Sequence, residues 1–278
     1  MRRGRTLRRG RVKGGPLWLL LLILVCGSAH AVPDAEAWEF WRGAGNRADV
    51  SHGLWQSLLD EFVVRGADGI NRVRYRAMNE KARERLKSYI QSLAAIDPRT
   101  LTRAAQQAYW INLYNALTAD VVLDYPRKKS ILRMGRKLLA LGPWDDSLIE
   151  IAGQKLTLND IEHRILRPLF GDERVHFAVN CASLSCPDLA NTAYTAGNLE
   201  SLLDEQMHRY LGHPRGLRQT AGGFELSSIF DWYQVDFAAD EKGLREWLAK
   251  RRPDLAAALR DKRKRITYEY DWKLNVAE

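Results

Sequence analysis

A chain of 278 residues with 46% apolar side chains and three cysteines is long enough for one large domain or two small ones, and its core is held by burial and not by a disulfide framework. The formal net charge of +9 excludes less than it suggests. Residues 1–31 hold seven basic residues and no acid; without them 36 basic face 34 acidic residues, so the high charge belongs to the leader and gives no support to nucleic-acid binding.

The chain opens with "MRRGRTLRRGRVKGG" and an uncharged run from Leu17 to Cys26, then "GSAHAV" with Ala29 and Ala31. Basic head, apolar middle and small-residue exit predict a secretory signal peptide over 1–31, cut after Ala31. The run is too short to span a bilayer, which takes about 20 apolar residues, and Val25 is not the small residue a lipid-anchored Cys26 would need. The expected location is periplasmic or secreted, with no membrane span after cleavage. The later basic clusters, Lys250–Arg252 and Lys262–Arg265, read as solvated helix faces.

Residues 32–50 read as an N-terminal arm whose Trp38, Phe40 and Trp41 pack elsewhere, and residues 51–278 as one domain. Leu54, Trp55, Leu58, Leu59 and Phe62 share a face at helical spacing. "NRVRYRAM" is a short strand through Val73 and Tyr75. Leu86, Tyr89, Ile90 and Leu93 mark a second helix ending before Pro98. "RAAQQAYWINLYNALTADVVLDYP" is the longest helix, stopped by Pro126. After an irregular basic loop, "LIEIAGQKLTL" alternates about Ala152 and Gly153 as a hairpin. Thr157 and Asp160 form a capping box for "LNDIEHRILRPLF", where Asp160 and Arg164 pair four apart.

"RVHFAVN" reads as a buried strand, followed by a helix from Leu199 to Tyr210 with Gly212 at its C-terminal cap. "GFELSSIFDWYQVDF" runs from a strand into a helical turn capped by Ser228. Two helical pieces, "EKGLREWLAKRR" and "PDLAAALRDKRK", precede a last strand with Ile266, Tyr268 and Tyr270 alternating. Many helices and few strands without a βαβ rhythm give an α+β class: a helix-rich single domain with a small antiparallel sheet. A papain- or transglutaminase-like layout is expected by analogy, although the early central helix offers no cysteine.

Three groups of polar residues stand in apolar surroundings. Asn112 and Asn115 share a face of the long helix beside Tyr114, and buried amides need partners; they either hold loop backbone or bind a substrate amide. Glu162 and His163 point about 100° apart on an ideal helix, and an inward Glu162 would have His176 as its nearest partner in the chain. In an extended chain His176 and Asn180 face one way and Cys181 the other. Pro187 would start a helix and make Cys186 its cap, a position that lowers a thiol pKa.

Several segments resemble one family: "AYWINLYNALT" (108–118), Ser130-Ile131 before Pro143-Trp144, "LTLNDIEHRILR" (156–167), "HFAVNCASLSCPDL" (176–189), "SSIFDWYQVDF" (227–237) and "YDWKLN" (270–275). Together they are similar, in the same order and over roughly 54–275, to the domain of unknown function 547 family, found in exported bacterial proteins and as a domain in plants and animals. The resemblance implies no activity.

Three arrangements compete for the sulfurs. A Cys181 nucleophile with His176 as base, and Glu162 or Asn180 orienting the ring, would give a thiol-dependent amide or peptide hydrolase or acyl transferase. A Cys181–Cys186 disulfide would close a tight loop, and zinc on His176, Cys181 and Cys186 with His163 would brace one; either suits a non-catalytic binding or assembly module. Trp232, beside Asp231 and Asp236, would line a carbohydrate or peptide cleft. No cofactor is expected. The expected partner is a peptide or cell-envelope substrate.

Overall fold

A computed structural model describes residues 34–136 and 141–277; the expected signal peptide lies outside them. The helix Arg103–Asp124 sets the layout. Thr102 caps it, its Oγ1 accepting from Ala105 N at 3.4 Å. Its buried residues occupy every face from Ala105 to Thr118, so it is a core helix rather than an amphipathic one. Helix Glu80–Ala94 packs beside it, and helix Gly53–Phe62 packs on Glu80–Ala94. The arm aromatics join the same core, with Trp41 fully buried edge-on to Trp110 at 5.1 Å between ring centres.

The strands are short. Val63–Arg65 pairs antiparallel with Asn71–Val73, and Ile149–Ile151 with Gln154–Leu156. The turn of the second hairpin has Ala152 at φ 47° and Gly153 at φ 75°, the two positive angles of a tight hairpin turn. Gly223–Ser227 is the middle strand of a third sheet, antiparallel to Leu217–Gln219 and parallel to Arg265–Glu269. The α+β class therefore stands, and the largest sheet adds one parallel pair to its antiparallel one.

Two hydrophobic clusters fill the unit Val32–Glu278. The larger surrounds the central helix and takes in Val175, Ala178, Val179 and Ala182. The smaller gathers Phe177, Tyr210, Phe224, Phe230, Phe237 and Trp247 around the three-stranded sheet. The segment 175–182 contributes to both, so it runs along their seam.

That segment differs from its reading as a strand. Glu173–Phe177 is a 3-10 helix, capped by Asp172, whose Oδ1 accepts from Arg174 N at 2.9 Å. A short apolar run does not distinguish strand from buried helix, and Val175 N donates to Asp172 O instead of to a neighbouring strand. Four smaller corrections follow. Leu54 points to solvent, 43% exposed, and Tyr75 starts a 3-10 turn after the strand ends at Val73. Ser228 caps nothing with its side chain; Ser227 Oγ accepts from Ile229 N. Gly212 is the last helical residue, with His213 as the cap. Among the described residues no helix is long and apolar enough to cross a membrane.

Candidate functional site

Cys181 leaves the seam as a half-buried residue, and Cys186 is buried. Both are free thiols, so the loop is not closed by a disulfide in this structure. Its shape comes from hydrogen bonds. Asn180 is spent on them: its N–H donates to Asn115 Oδ1 at 2.7 Å and its Nδ2 to Pro187 O at 2.7 Å. Its Oδ1 accepts from Ala182 N at 2.9 Å and Asn275 Nδ2 at 3.3 Å. Ala182 sits at φ 60°, a left-handed conformation that alanine seldom adopts, and the Asn180 bond holds it there. Arg215 Nη1 donates to Leu184 O and Cys186 O at 2.9 and 2.8 Å, while its other nitrogen pairs with Asp188.

The sulfur of Cys181 faces Tyr270 OH and Ser183 Oγ, each at 3.1 Å, and Ser183 Oγ lies 3.0 Å from Tyr270 OH. Its own N–H donates to Cys186 Sγ at 2.9 Å. Burial opposes charge on Cys181, but hydrogen bonds from Cys186, Ser183 and Tyr270 outweigh it and bring the thiol down to about 7. Burial moves the other two groups the opposite way. Cys186 is pushed well above the usual thiol range, its Sγ near Val179 O at 3.7 Å, and Tyr270 well above the usual phenol range. One sulfur is thus poised as a thiolate beside a phenol that keeps its proton. The reading of Cys186 as a helix cap is corrected: Pro187 begins no helix, so no helix terminus lowers its pKa.

His176 goes elsewhere. Its Nε2 lies 2.7 Å from Asp236 Oδ2, and its buried Nδ1 has no hydrogen-bond partner. The ring stacks on Tyr233 at 4.1 Å. Neither cysteine bonds it, and Glu162 is not its partner. Arg167 grips the same Asp236, with Nε on Oδ2 at 2.6 Å and Nη2 on Oδ1 at 3.2 Å. Burial opposes charge on Asp236, yet His176 and Arg167 hold it well below the carboxylate range.

Glu162 and His163 belong to a helix of unusual type. Asp160–Phe170 is a wide, π-type helix entered through the Thr157–Asp160 box, each of whose backbone N–H groups meets the other's side chain at 3.0 Å. Both residues are buried. The His163 ring lies 5.9 Å from the Tyr233 ring. His163 accepts from Arg167 Nη1 at 3.1 Å, and burial lowers its pKa. Tyr233 is raised well above the phenol range by burial first, then by the charges of Glu162 and Cys181. Tyr114 behaves likewise, raised by burial and then by Glu162 and Cys181. Both tyrosine hydroxyls therefore feel the charges of Glu162 and Cys181.

Asn112 and Asn115 hold backbone. Asn112 bonds Tyr194 O at 2.7 Å and Tyr194 N at 3.1 Å; Asn115 bonds Ala178 O at 3.0 Å as well as Asn180 N. Trp232 is half-buried, 4.7 Å from Tyr270 and 5.5 Å from Trp272, and Trp272 lies 5.9 Å from Trp144. Among the described residues no three His, Cys, Asp or Glu side chains converge to hold a metal, so the zinc arrangement is not formed.

Tyr270, Ser183, Arg167 and Asn275 were missed as partners. Each lies in a segment that carries the family resemblance, which is the signal that could have found them. Residues 98–211 match the model of the family described as "Protein of unknown function, DUF547". No curated protein and no solved structure matches the chain significantly.

Proposed function

The chain belongs to the DUF547 family, which is defined without an activity, and from its own geometry we propose an exported cell-envelope protein that cleaves amide or peptide bonds with Cys181 as nucleophile. The observation that carries this is the half-buried Cys181 sulfur held 3.1 Å from both Tyr270 OH and Ser183 Oγ. The leader pattern supports export. Trp232, Tyr270, Trp272 and Trp144 supply an aromatic wall beside the sulfur, the kind of surface on which peptide or sugar groups rest.

The thiolate attacks the acyl carbon, a C–S bond forms, and the C–N bond breaks as the departing nitrogen takes the Tyr270 proton. Water then gives a proton to the tyrosinate, its oxygen adds to the thioester carbon, and the thiolate leaves. No base is needed to ionise a thiol whose pKa is already about 7. His176, paired with Asp236 and stacked on Tyr233, is assigned a positioning role, and Glu162 acts on Tyr233 through its charge. Asn180 and Asn115 hold the loop that presents the sulfur.

Incubation with p-nitrophenyl acetate tests this. An acetyl adduct should form on Cys181 and be absent from Cys181→Ala, which should also lose turnover. Equal turnover by the two proteins would overturn the assignment. No adduct and no turnover above the uncatalysed rate in either would overturn it too, and would favour the competing reading of a non-catalytic binding module, which rests on Asn112, Asn115 and Asn180 all being spent on backbone.

A further inference from the structure

A cleft of about 480 Å³ lies against Lys273, Leu274 and Val276 of the C-terminal segment. Its floor is apolar, with Val122, Leu123, Leu184, Leu274 and Val276. The backbone ties this floor together: Leu274 N donates to Lys129 O at 3.0 Å, and Leu184 N to Lys273 O at 2.7 Å. The rim is cationic and no acid lines it. Arg83 is neutralised by Asp124 at 3.1 Å and Lys273 lies 3.5 Å from Asp271. Arg76, Lys128 and Lys129 are exposed and have no carboxylate partner among the described residues. Among the described residues most arginines do have one, those at 72, 99, 167, 174 and 215 each being paired with an aspartate, whereas of the described lysines Lys273 alone has a carboxylate within 4 Å.

Three unpaired cations above a hydrocarbon floor, in a volume within the usual range for a small ligand, select one chemistry. We propose that this cleft binds a single-chain anionic amphiphile, with its alkyl body on the Leu274–Val276 floor and its phosphate or carboxylate head among Arg76, Lys128 and Lys129. The alkyl body supplies affinity by leaving water, and the head supplies selection through charge-assisted hydrogen bonds. The site uses none of the proposed catalytic groups, so it stands or falls separately from Cys181.

Dodecyl phosphate below its micellar concentration is the probe, titrated calorimetrically into the full-length protein. Saturable one-to-one binding is expected, weakened at least tenfold in the Arg76→Glu, Lys128→Glu, Lys129→Glu triple variant, whose changes are at exposed sites. Dodecyl maltoside should bind at least tenfold more weakly, inorganic phosphate should give no heat, and Cys181→Ser should bind like the native chain. Absence of saturable binding at millimolar probe overturns the proposal. So does equal affinity in the triple variant or for the neutral glycoside. Binding to phosphatidylglycerol vesicles without binding to the monomeric probe would also overturn it, since the surface would then be reading a membrane and not an amphiphile in a cleft.

Discussion

Tyr270 is the residue on which the sulfur's chemistry turns. A hydrogen bond to a charged group is worth about 1.5–3 kcal/mol, and one pKa unit is about 1.4 kcal/mol. Tyr270→Phe should therefore raise the Cys181 midpoint by about one unit or more, read from its alkylation rate against pH, while the fold and the tilted ring contact with Trp232 remain. An unchanged midpoint would mean that Ser183 and Cys186 alone hold the thiolate. Ala182 gives a second test. Glycine accepts φ 60° without strain, so Ala182→Gly should leave thermal stability equal or higher while freeing the Cys181 backbone and slowing its alkylation. At this scale the sequence was informative about identity and poor about pairing. The two cysteines, His176 and Asn180 stand out within a few residues of each other. The groups they bond are as much as 95 positions away, at Tyr270, Asp236 and Asn275, where only a folded chain connects them.

The central helix and the seam segment work as one element pair. Asn115 bridges them by satisfying Ala178 O and Asn180 N together. Orphaning a buried polar group costs about 1–3 kcal/mol, so Asn115→Ala should lower unfolding free energy by roughly 2–4 kcal/mol in chemical denaturation. It should also speed hydrogen exchange at Asn180 N–H. A loss below about 1 kcal/mol would contradict the bridging role. Helix periodicity, the capping box and the Ala152-Gly153 turn were legible because each depends on local chemistry alone. The seam was not. Its apolar run from Val175 to Val179 satisfies a strand pattern, but no neighbouring strand is there to pair with it. The Asp172 cap and the Asn115 bridge decide the backbone instead. The π-type helix was missed for a related reason: the apolar spacing of Asp160–Phe170 fits an ordinary helix, and nothing local in the sequence marks the widened turns.

Across the whole molecule, buried neutral histidines tie stability to pH. Burial lowers His52 to about 4 from an ordinary 6.5, and its Nδ1 lies 2.8 Å from Tyr89 OH. Between those values the unfolded chain takes up a proton that the folded chain refuses. Stability is therefore lost as pH falls from about 6.5 to about 4, and levels off below, for a total of about 3 kcal/mol. His163, also lowered by burial, adds in the same direction. His52→Gln should flatten part of that slope in urea titrations between pH 7 and 4; an unaltered slope would remove His52 from the account. The two hydrophobic clusters explain why the site lies where it does. Segment 175–182 feeds both, and Cys181 emerges where the tyrosines and tryptophans of the second meet the central helix of the first. The α+β class followed from the number of helices and the shortness of the strands, whereas the seam arises from contacts between distant segments.

The most direct measurement is the iodoacetamide alkylation rate of each cysteine in the native protein from pH 5 to 10, read by peptide mass spectrometry. The account predicts a Cys181 midpoint near 7. At pH 6 Cys181 should react roughly tenfold faster than a free thiol, once its higher thiolate fraction is set against its lower nucleophilicity, while Cys186 stays unmodified. A Cys181 that reacts no faster than a free thiol at pH 6, or titrates with an ordinary midpoint, would contradict it.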